Sequence, residues 1–439
     1  MTPQAQWFFS AAELARFASQ RRVDELLWAT ATGLKIAFLV AVPLLGIHLL
    51  LRSWGERLGR ALPAGRLAAV LQRMSATPGA GRWGADVLVP VLLVALYALL
   101  TAPLDFFRGY LLAHERGLAT LSAGRFWADW AMALGQGLVL AGLFGLGVFA
   151  LARRLARSWW LALWGAVVLA LVGFAMLAPY RARLVHEFRP LGPGPLRQSL
   201  ERVLEGAGLR AERIEVMDSS RRTRLAGAHV TGQGPTRRVV LADNLVRNFP
   251  PREVAVAVAH ELGHTLERHP WRNLALEALG ALLFLFGLHL ALRHAHRLRA
   301  LRLRPGVDPA VLPVVLLVAE LLFLLHQPLA VWRTRAEEVR ADAVALRLTR
   351  DPVAFCSLFL RLARHNQADP DPPALSRFLF GSHPAVMERI RTGFAWAAAH
   401  GIGMDRQALP LALPVSQLSV KQGKTTGTGP LAGRTRPGS

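Results

Sequence analysis

Cysteine is nearly absent from the 439 residues. Cys356 stands alone, which excludes an internal disulfide framework and any zinc site built on several thiolates. A metal held by this chain would have to use histidines and carboxylates. Acidic residues are also scarce, 29 Asp and Glu against 52 Lys and Arg, for a formal charge of +23. Such an excess can mark nucleic-acid binding. Here, however, the arginines gather at the ends of apolar runs, as at Arg153, Arg154, Arg157, Arg293, Arg302 and Arg304. That placement suits lipid headgroups, so the expected partner is the bilayer and not nucleic acid. The first thirty residues lack a continuous apolar stretch with a cleavage site, so no removable signal peptide is expected. No internal repeat is visible.

What the chain has in excess is apolar sequence, 53% of the whole, concentrated in blocks. Stretches at roughly 33–51, 86–103, 129–150, 159–178, 274–292 and 310–327 are each long enough to cross about 30 Å of hydrocarbon as helices. The expected fold is therefore mainly α: a polytopic membrane protein of about six spans with a small α/β insertion. Four spans fall in a membrane region over 1–180, joined by basic connections such as the Arg-rich 52–85. In the insertion, 181–272, Pro195 to Gly206 has helical periodicity, while Ile214–Val216 and Val239–Leu241 read as strands. Two further spans occupy 273–330, and a helical part follows over 331–405. There 331–365 reads as an interfacial helix, 366–375 as a loop, and about 384–400 as a last helix. The tail, 406–439, is dominated by Lys, Gly, Thr and Pro from Ser416 on and is expected to be disordered.

The densest chemistry lies in His260-Glu261-Leu262-Gly263-His264. Residues i and i+4 sit one above the other on a helix, so both imidazoles can reach one tetrahedral Zn²⁺, and Glu261 lies where it can take the proton of an attacking water. Pro250 and Pro251 suit a first helical turn, Glu253 favours the positive end of the dipole, and Pro270 is the expected stop. The motif implies one zinc per chain and peptide hydrolysis with Glu261 as general base. The third ligand must come from elsewhere, because Glu267 and Pro270 occupy the places where a metzincin carries its glycine and third histidine. A candidate segment is Thr334 to Asp342, where Glu338 and Asp342 are i and i+4, so that one carboxylate could bind zinc and the other orient a ligand histidine. Glu337 competes, and spacing alone does not decide between the two glutamates. His269 is not read as a ligand.

The chain resembles the CAAX prenyl protease 1 type of integral-membrane zinc metallopeptidase, a gluzincin family, in a bacterial form. Its HExxH helix is followed by two spans and then by Thr334, Arg335, Glu338, Ala341 and Asp342, in register with the family's Ser-Arg-x-x-Glu-x-x-Ala-Asp. Gly109 to Leu118 with Thr120, Gly124 and Trp127 resembles a loop of the family's membrane domain. Asp218 to Thr223, Val239 to Leu245, and Gly381-Ser382-His383-Pro384 with Glu388-Arg389-Ile390 match further segments. The resemblance implies a zincin-like insertion beside a water-filled chamber. It also implies His260, His264 and Glu338 as zinc ligands, Asp342 as support, His383 as an oxyanion donor, and Arg389 as a helper or brace. The strand at Ala228, His229 and Val230 would align the substrate. Gly227-Ala228-His229 replaces the family's Asn-Ala-Tyr there, so an amide that could hold substrate backbone is missing. The aromatic before the third ligand is here Glu337.

The implied substrate is a membrane-associated, unfolded or short peptide, and the oligomeric state is left open. The resemblance also implies a bacterial inner-membrane protein with its site facing the cytoplasm. Arginines in the short loops at 52–85, 151–157 and 293–304 would place the site on the other side. The family expectation is adopted. A competing reading is a catalytically silent scaffold or transporter with a structural metal, against which the intact Glu261 argues. Intramembrane Glu277, Glu320, His289 and His326 are left outside the site.

Overall fold

The computed structural model describes residues 4–61, 66–75, 81–184, 186–210, 213–232, 236–295, 297, 299–404 and 409. The tail expected to be disordered thus lies outside the described residues except for Leu409.

Six helices among the described residues are long and apolar enough to cross a membrane, and the protein is an integral membrane protein. The first, α1 (Ala11–Leu44), opens on a capping box: Ser10 Oγ accepts from the Glu13 amide at 3.2 Å while Glu13 Oε2 accepts from the Ser10 amide at 2.8 Å. The span expected at 33–51 is corrected, because the helix starts at Ala11 and breaks at Gly46, whose φ of +71° a glycine adopts without strain. The connection that follows is not a loop but holds two amphipathic helices, α2 (Ile47–Ala61) and α3 (Arg66–Ser75). Next come α4 (Trp83–Phe106), which runs on through a π-helical turn at Phe107–Leu112 into the short α5 (Ala113–Glu115), then α6 (Ala123–Arg154) and α7 (Trp159–Arg181). A Cβ at Gly55 would stand 2.5 Å from the Ala85 Cα, so α2 lies directly against the backbone of α4.

The insertion holds a four-stranded sheet in the order β1-β2-β4-β3: β1 (Phe188–Pro190), β2 (Arg213–Met217), β3 (Ala228–Thr231) and β4 (Arg238–Ala242). Only β2 and β4 are parallel. Helix α8 (Pro195–Gly206) buries Leu200, Val203 and Leu204 in the main core, as its periodicity requires. The short α9 (Asp243–Asn248) leads into α10 (Pro251–Leu266), which carries the HELGH motif. Helix α10 ends at Leu266, before the expected stop. Arg268 takes a left-handed φ of +55°, and Pro270 instead lies in the first turn of α11 (His269–Ala295), where a missing N–H costs nothing.

Helix α12 (Leu312–Thr349) corrects a second boundary. The span expected at 310–327 and the interfacial helix expected from 331 are one 38-residue helix passing through Pro328. It stops at Arg350, φ +49°, after which Asp351 caps α13 (Pro352–His365) by accepting from the Ala354 amide at 3.0 Å. Two more helices, α14 (Ala374–Phe380) and α15 (Val386–Ala399), follow among the described residues; α14 occupies part of the expected loop.

The main core gathers α8, α10, α13, α15 and β4 around fully buried Val254, Val256, Leu262, Phe355, Met387 and Ile390. Phe8, Phe9 and Phe17 from the N-terminal segment also belong to it. The start of the chain is fastened there by polar contacts: Arg364 Nε to Glu13 (3.0 Å), Arg21 Nε to Asp369 (2.9 Å) and Gln20 Nε2 to Gln367 (2.7 Å). The start of the chain thus packs on the catalytic part, while Asp24 and the Gln20 carbonyl also accept from Arg116 of the membrane region, at 2.9 and 3.2 Å.

In the spans, Glu320 meets Lys35 of α1 at 2.5 Å, and His289 lies buried beside Trp159 and Trp160. At the membrane face away from the HELGH helix, Asp86 is fully buried and accepts two 2.7 Å bonds from Arg153. Arg304 pairs there with Glu56, and Arg52 with Asp308.

Candidate active site

Helices α11 and α12 leave and re-enter along the membrane and bring Glu338 and Asp342 back to α10. The approach is close because both sides are small. A Cβ at Gly263 would stand 2.9 Å from the Ala341 Cα, and Ala341 is fully buried. Any larger residue at Gly263 would push the two helices apart and widen the gap between the imidazoles and the carboxylate. The glycine inside HELGH thus sets the helix spacing.

The three proposed ligand side chains converge. Glu338 Oε2 lies 3.1 Å from His260 Nε2, Glu338 Oε1 lies 3.3 Å from His264 Nε2, and the two Nε2 atoms are 3.3 Å apart. Bonds of about 2.0–2.1 Å to a tetrahedral zinc give edges of about 3.3 Å, so these contacts, which reach both Glu338 oxygens, have the spacing one such ion would need. These residues form the candidate metal group among the described residues.

Asp342 Oδ1 accepts from His260 Nδ1 at 2.9 Å, which turns Nε2 toward the triangle. Burial alone would lower the His260 imidazole, but the bonds to Asp342 and Glu338 outweigh it and push its pKa up to about 9. Glu261 follows on the same helix, half-buried. Burial raises its carboxyl above the ordinary carboxylate range although His260 and His264 pull the other way.

Glu337 is also buried, but one residue along a helix is about 100° around it. Its carboxylate turns to α11 and accepts from Asn273 Nδ2 at 3.0 Å, while Asn273 Oδ1 accepts from Arg333. Burial without an aromatic is explained by this partner. Arg389, on α15, is 5% exposed. It donates from Nη2 to Glu338 Oε2 at 2.7 Å, holds Nε 3.2 Å from Asp342 Oδ2, and lies over the Phe359 ring. It spans both carboxylates. His383 is 62% exposed, with Nε2 3.5 Å from Glu338 Oε2 and Nδ1 3.0 Å from Ser382 Oγ.

The strand β3, with Ala228, His229 and Val230, is the outer strand of the sheet on the β4 side and packs on α10. Two segments far apart in sequence also meet: Arg224 N donates to Leu118 O at 2.9 Å, and Ala119 bridges Thr223. Asp243 fastens the second of them, accepting from Ser219 Oγ and the Ser220 amide, each at 2.9 Å.

Sequence reasoning passed over two features of the site. Gly263 was not singled out, though a glycine in a helix facing an Ala on its partner is a spacing signal. His269 was set aside as a non-ligand, yet its Nδ1 lies 3.0 Å from His264 Nδ1.

Residues 191–395, which include α10, the HELGH motif and Glu338, match the model of peptidase family M48. The chain is 27% identical to the metalloprotease YhfN of Bacillus subtilis over 296 residues, 67% of this chain and 69% of that protein. It is 26% identical to CAAX prenyl protease 1 of Saccharomyces cerevisiae over 40% of each chain. With the CAAX prenyl protease 1 homolog of Arabidopsis thaliana it shares 27% identity over 51% of this chain and 53% of that one. The matched stretch thus spans about half or less of these two prenyl proteases. The fold is similar to the crystal structure of S. mikatae Ste24p, with a TM-score of 0.69 at 18% identity, covering 90% of this chain and 91% of that one.

Proposed function

We propose that this protein is a zinc metalloendopeptidase of the M48, CAAX-protease-like type that cleaves membrane-associated or unfolded peptides. The observation that carries the reading is the triangle of His260, His264 and Glu338, whose 3.1–3.3 Å edges suit a single tetrahedral ion. Bound there, Zn²⁺ would supply a Lewis acid that polarises the scissile carbonyl and acidifies water.

The chain's own residues do the rest. Glu261, whose carboxyl burial raises above its ordinary value, takes the proton of the attacking water and passes it to the leaving amine. If Ser382 Oγ donates to His383 Nδ1, the ring proton sits on Nε2, free to bond the tetrahedral oxyanion from the open side of the site. Arg389 and Asp342 keep Glu338 and His260 in place. The outer edge of β3 offers backbone donors and acceptors to an extended peptide. With Gly227 in place of an amide side chain, the register would rest on backbone pairing and on His229.

The test is Glu261→Gln, purified with its metal and assayed against a peptide library. Loss of cleavage with zinc retained is expected; cleavage at the wild-type rate would overturn the role of Glu261, whereas a wild-type protein that holds zinc and cleaves nothing would return the scaffold reading. The same variant used as a trap in native membranes would show one substrate or many. For sidedness, a cytoplasmic face is proposed. His229→Cys should be labelled by an impermeant thiol reagent only from the cytoplasmic side, while Cys356, fully buried, stays silent.

A further inference from the structure

Each metal-binding histidine needs its other ring nitrogen held, or the ring swings and the coordinating nitrogen loses its aim. Asp342 does this for His260. His264 has a different neighbour: His269 Nδ1 lies 3.0 Å from His264 Nδ1, with the rings edge to face, their centroids 5.1 Å apart at 68°.

The contact is unusual for residues five apart. On an unbroken helix they point about 140° away from each other. Here the left-handed turn at Arg268 ends α10 and starts α11 at His269, so the chain doubles back and sets the second imidazole against the first. A non-glycine residue with positive φ is uncommon and is retained where the surroundings impose it. His269 is 2% exposed and hemmed in. Arg340 Nε lies 3.4 Å from its Nε2, and on the other side of the same helix stretch Glu337 is fixed by Asn273, in turn held by Arg333. All of these side chains lie on α11 and α12, whereas His264 lies on α10. The arrangement is built across three helices.

We propose that His269 is the positioning residue for His264, the counterpart of Asp342 for His260, and that the Arg268 turn exists to place it. This rests on the zinc assignment above. An imidazole that gives Nε2 to a metal carries its proton on Nδ1, and His269 Nδ1 is the acceptor in reach. In that state the His269 proton sits on Nε2, and the long contact with Arg340 gives way. The two supports differ in kind: Asp342 offers His260 a charge, and His269 offers His264 a neutral acceptor. His264 therefore remains the less electron-rich ligand of the two.

The test uses the full-length protein in detergent or nanodiscs. Zinc affinity is read by competition with a chelator of known affinity, and ligand geometry by the visible spectrum after cobalt replaces zinc. His269→Ala should bind zinc about 10–100-fold more weakly and shift the cobalt spectrum. His269→Asn, whose amide oxygen can stand where Nδ1 stood, should recover affinity to within about threefold of wild type. Thermal unfolding of the chelated protein separates a merely structural role, which would destabilise the alanine variant and leave the cobalt spectrum unchanged. Wild-type affinity and spectrum in His269→Ala, or an Asn variant as weak as Ala, would overturn the proposal. Neither readout needs turnover. A wild-type chain that binds zinc but cleaves nothing would sink the peptidase mechanism and leave this inference standing, and one that takes no zinc would sink both.

Discussion

The catalytic core and the membrane bundle follow opposite packing rules. Around α10, residue after residue is fully buried, with Val254, Val256, Val258, Ala259 and Leu262 at zero exposure. In the spans, the most apolar windows are only 6–28% buried within the protein. The core is held by removal of apolar surface from water, whereas the outward faces of the spans rest in hydrocarbon as apolar as themselves and gain nothing by facing one another. The bundle uses other means. It has backbone-close contacts such as Gly55 on Ala85, and ion pairs such as fully buried Asp86 with Arg153. The two regions share helices: α1 runs from core to bundle, and α12 from bundle to metal triangle. The difference therefore runs along single helices, and a substitution's effect should depend on which half it hits.

The sharpest break in the comparison concerns chemistry, not packing. Glu261→Gln should lower the rate of peptide cleavage by about 10³-fold, near the middle of what a general base contributes, with no change in unfolding temperature. Next comes the core end of α1. Phe17→Ala should cost about 3–4 kcal/mol, as for a fully buried aromatic replaced by alanine. Leu325→Ala, at a position 78% exposed on the membrane half of α12, should cost less than about 0.5 kcal/mol in detergent. Equal losses at both sites, measured by chemical unfolding, would erase the distinction.

A smaller effect should appear with pH in chelated protein. The folded-state pKa of His260 is raised from 6.5 to about 9. The stabilisation it gives is therefore complete below about pH 6.5 and is lost as pH rises through about 9. Unfolding temperature measured across that window should fall, and Asp342→Asn should flatten the dependence. Zinc should reverse it, because metal displaces the same proton and binds more tightly as pH rises. The smallest change expected is a gain. Arg350→Gly, at the left-handed end of α12, should stabilise by up to about 1 kcal/mol, relief of backbone strain minus the entropy of glycine.

Much of the fold could be read in one dimension. The six spans follow from runs of apolar residues, and the HELGH helix from its flanking prolines and valines. The errors cluster where helices begin and end. Pro43 and Pro328 were within helices, while Gly46, Arg268 and Arg350 made the breaks. A proline near a membrane can be tolerated when neighbours take up the freed carbonyl, and an arginine with positive φ carries no signal in its name. The packing of the start of the chain was hidden for a related reason. Phe8, Phe9 and Phe17 look like any interfacial aromatics until a core is found waiting for them.

The sequence by itself determined the chemistry available at the site. Two histidines and a glutamate at helical spacing, with a single cysteine in the chain, leave few metals and few reactions open, because residue type and the 3.6-residue period are local properties. Only the tertiary structure decided which residues support that chemistry. Glu338 reaches both Nε2 atoms while Glu337 turns to Asn273. Arg389 spans two carboxylates fifty residues away, and His269 returns to His264 through one left-handed turn. Those choices depend on how near one backbone can come to another, and that is a property of packed helices with Gly263 and Ala341 between them.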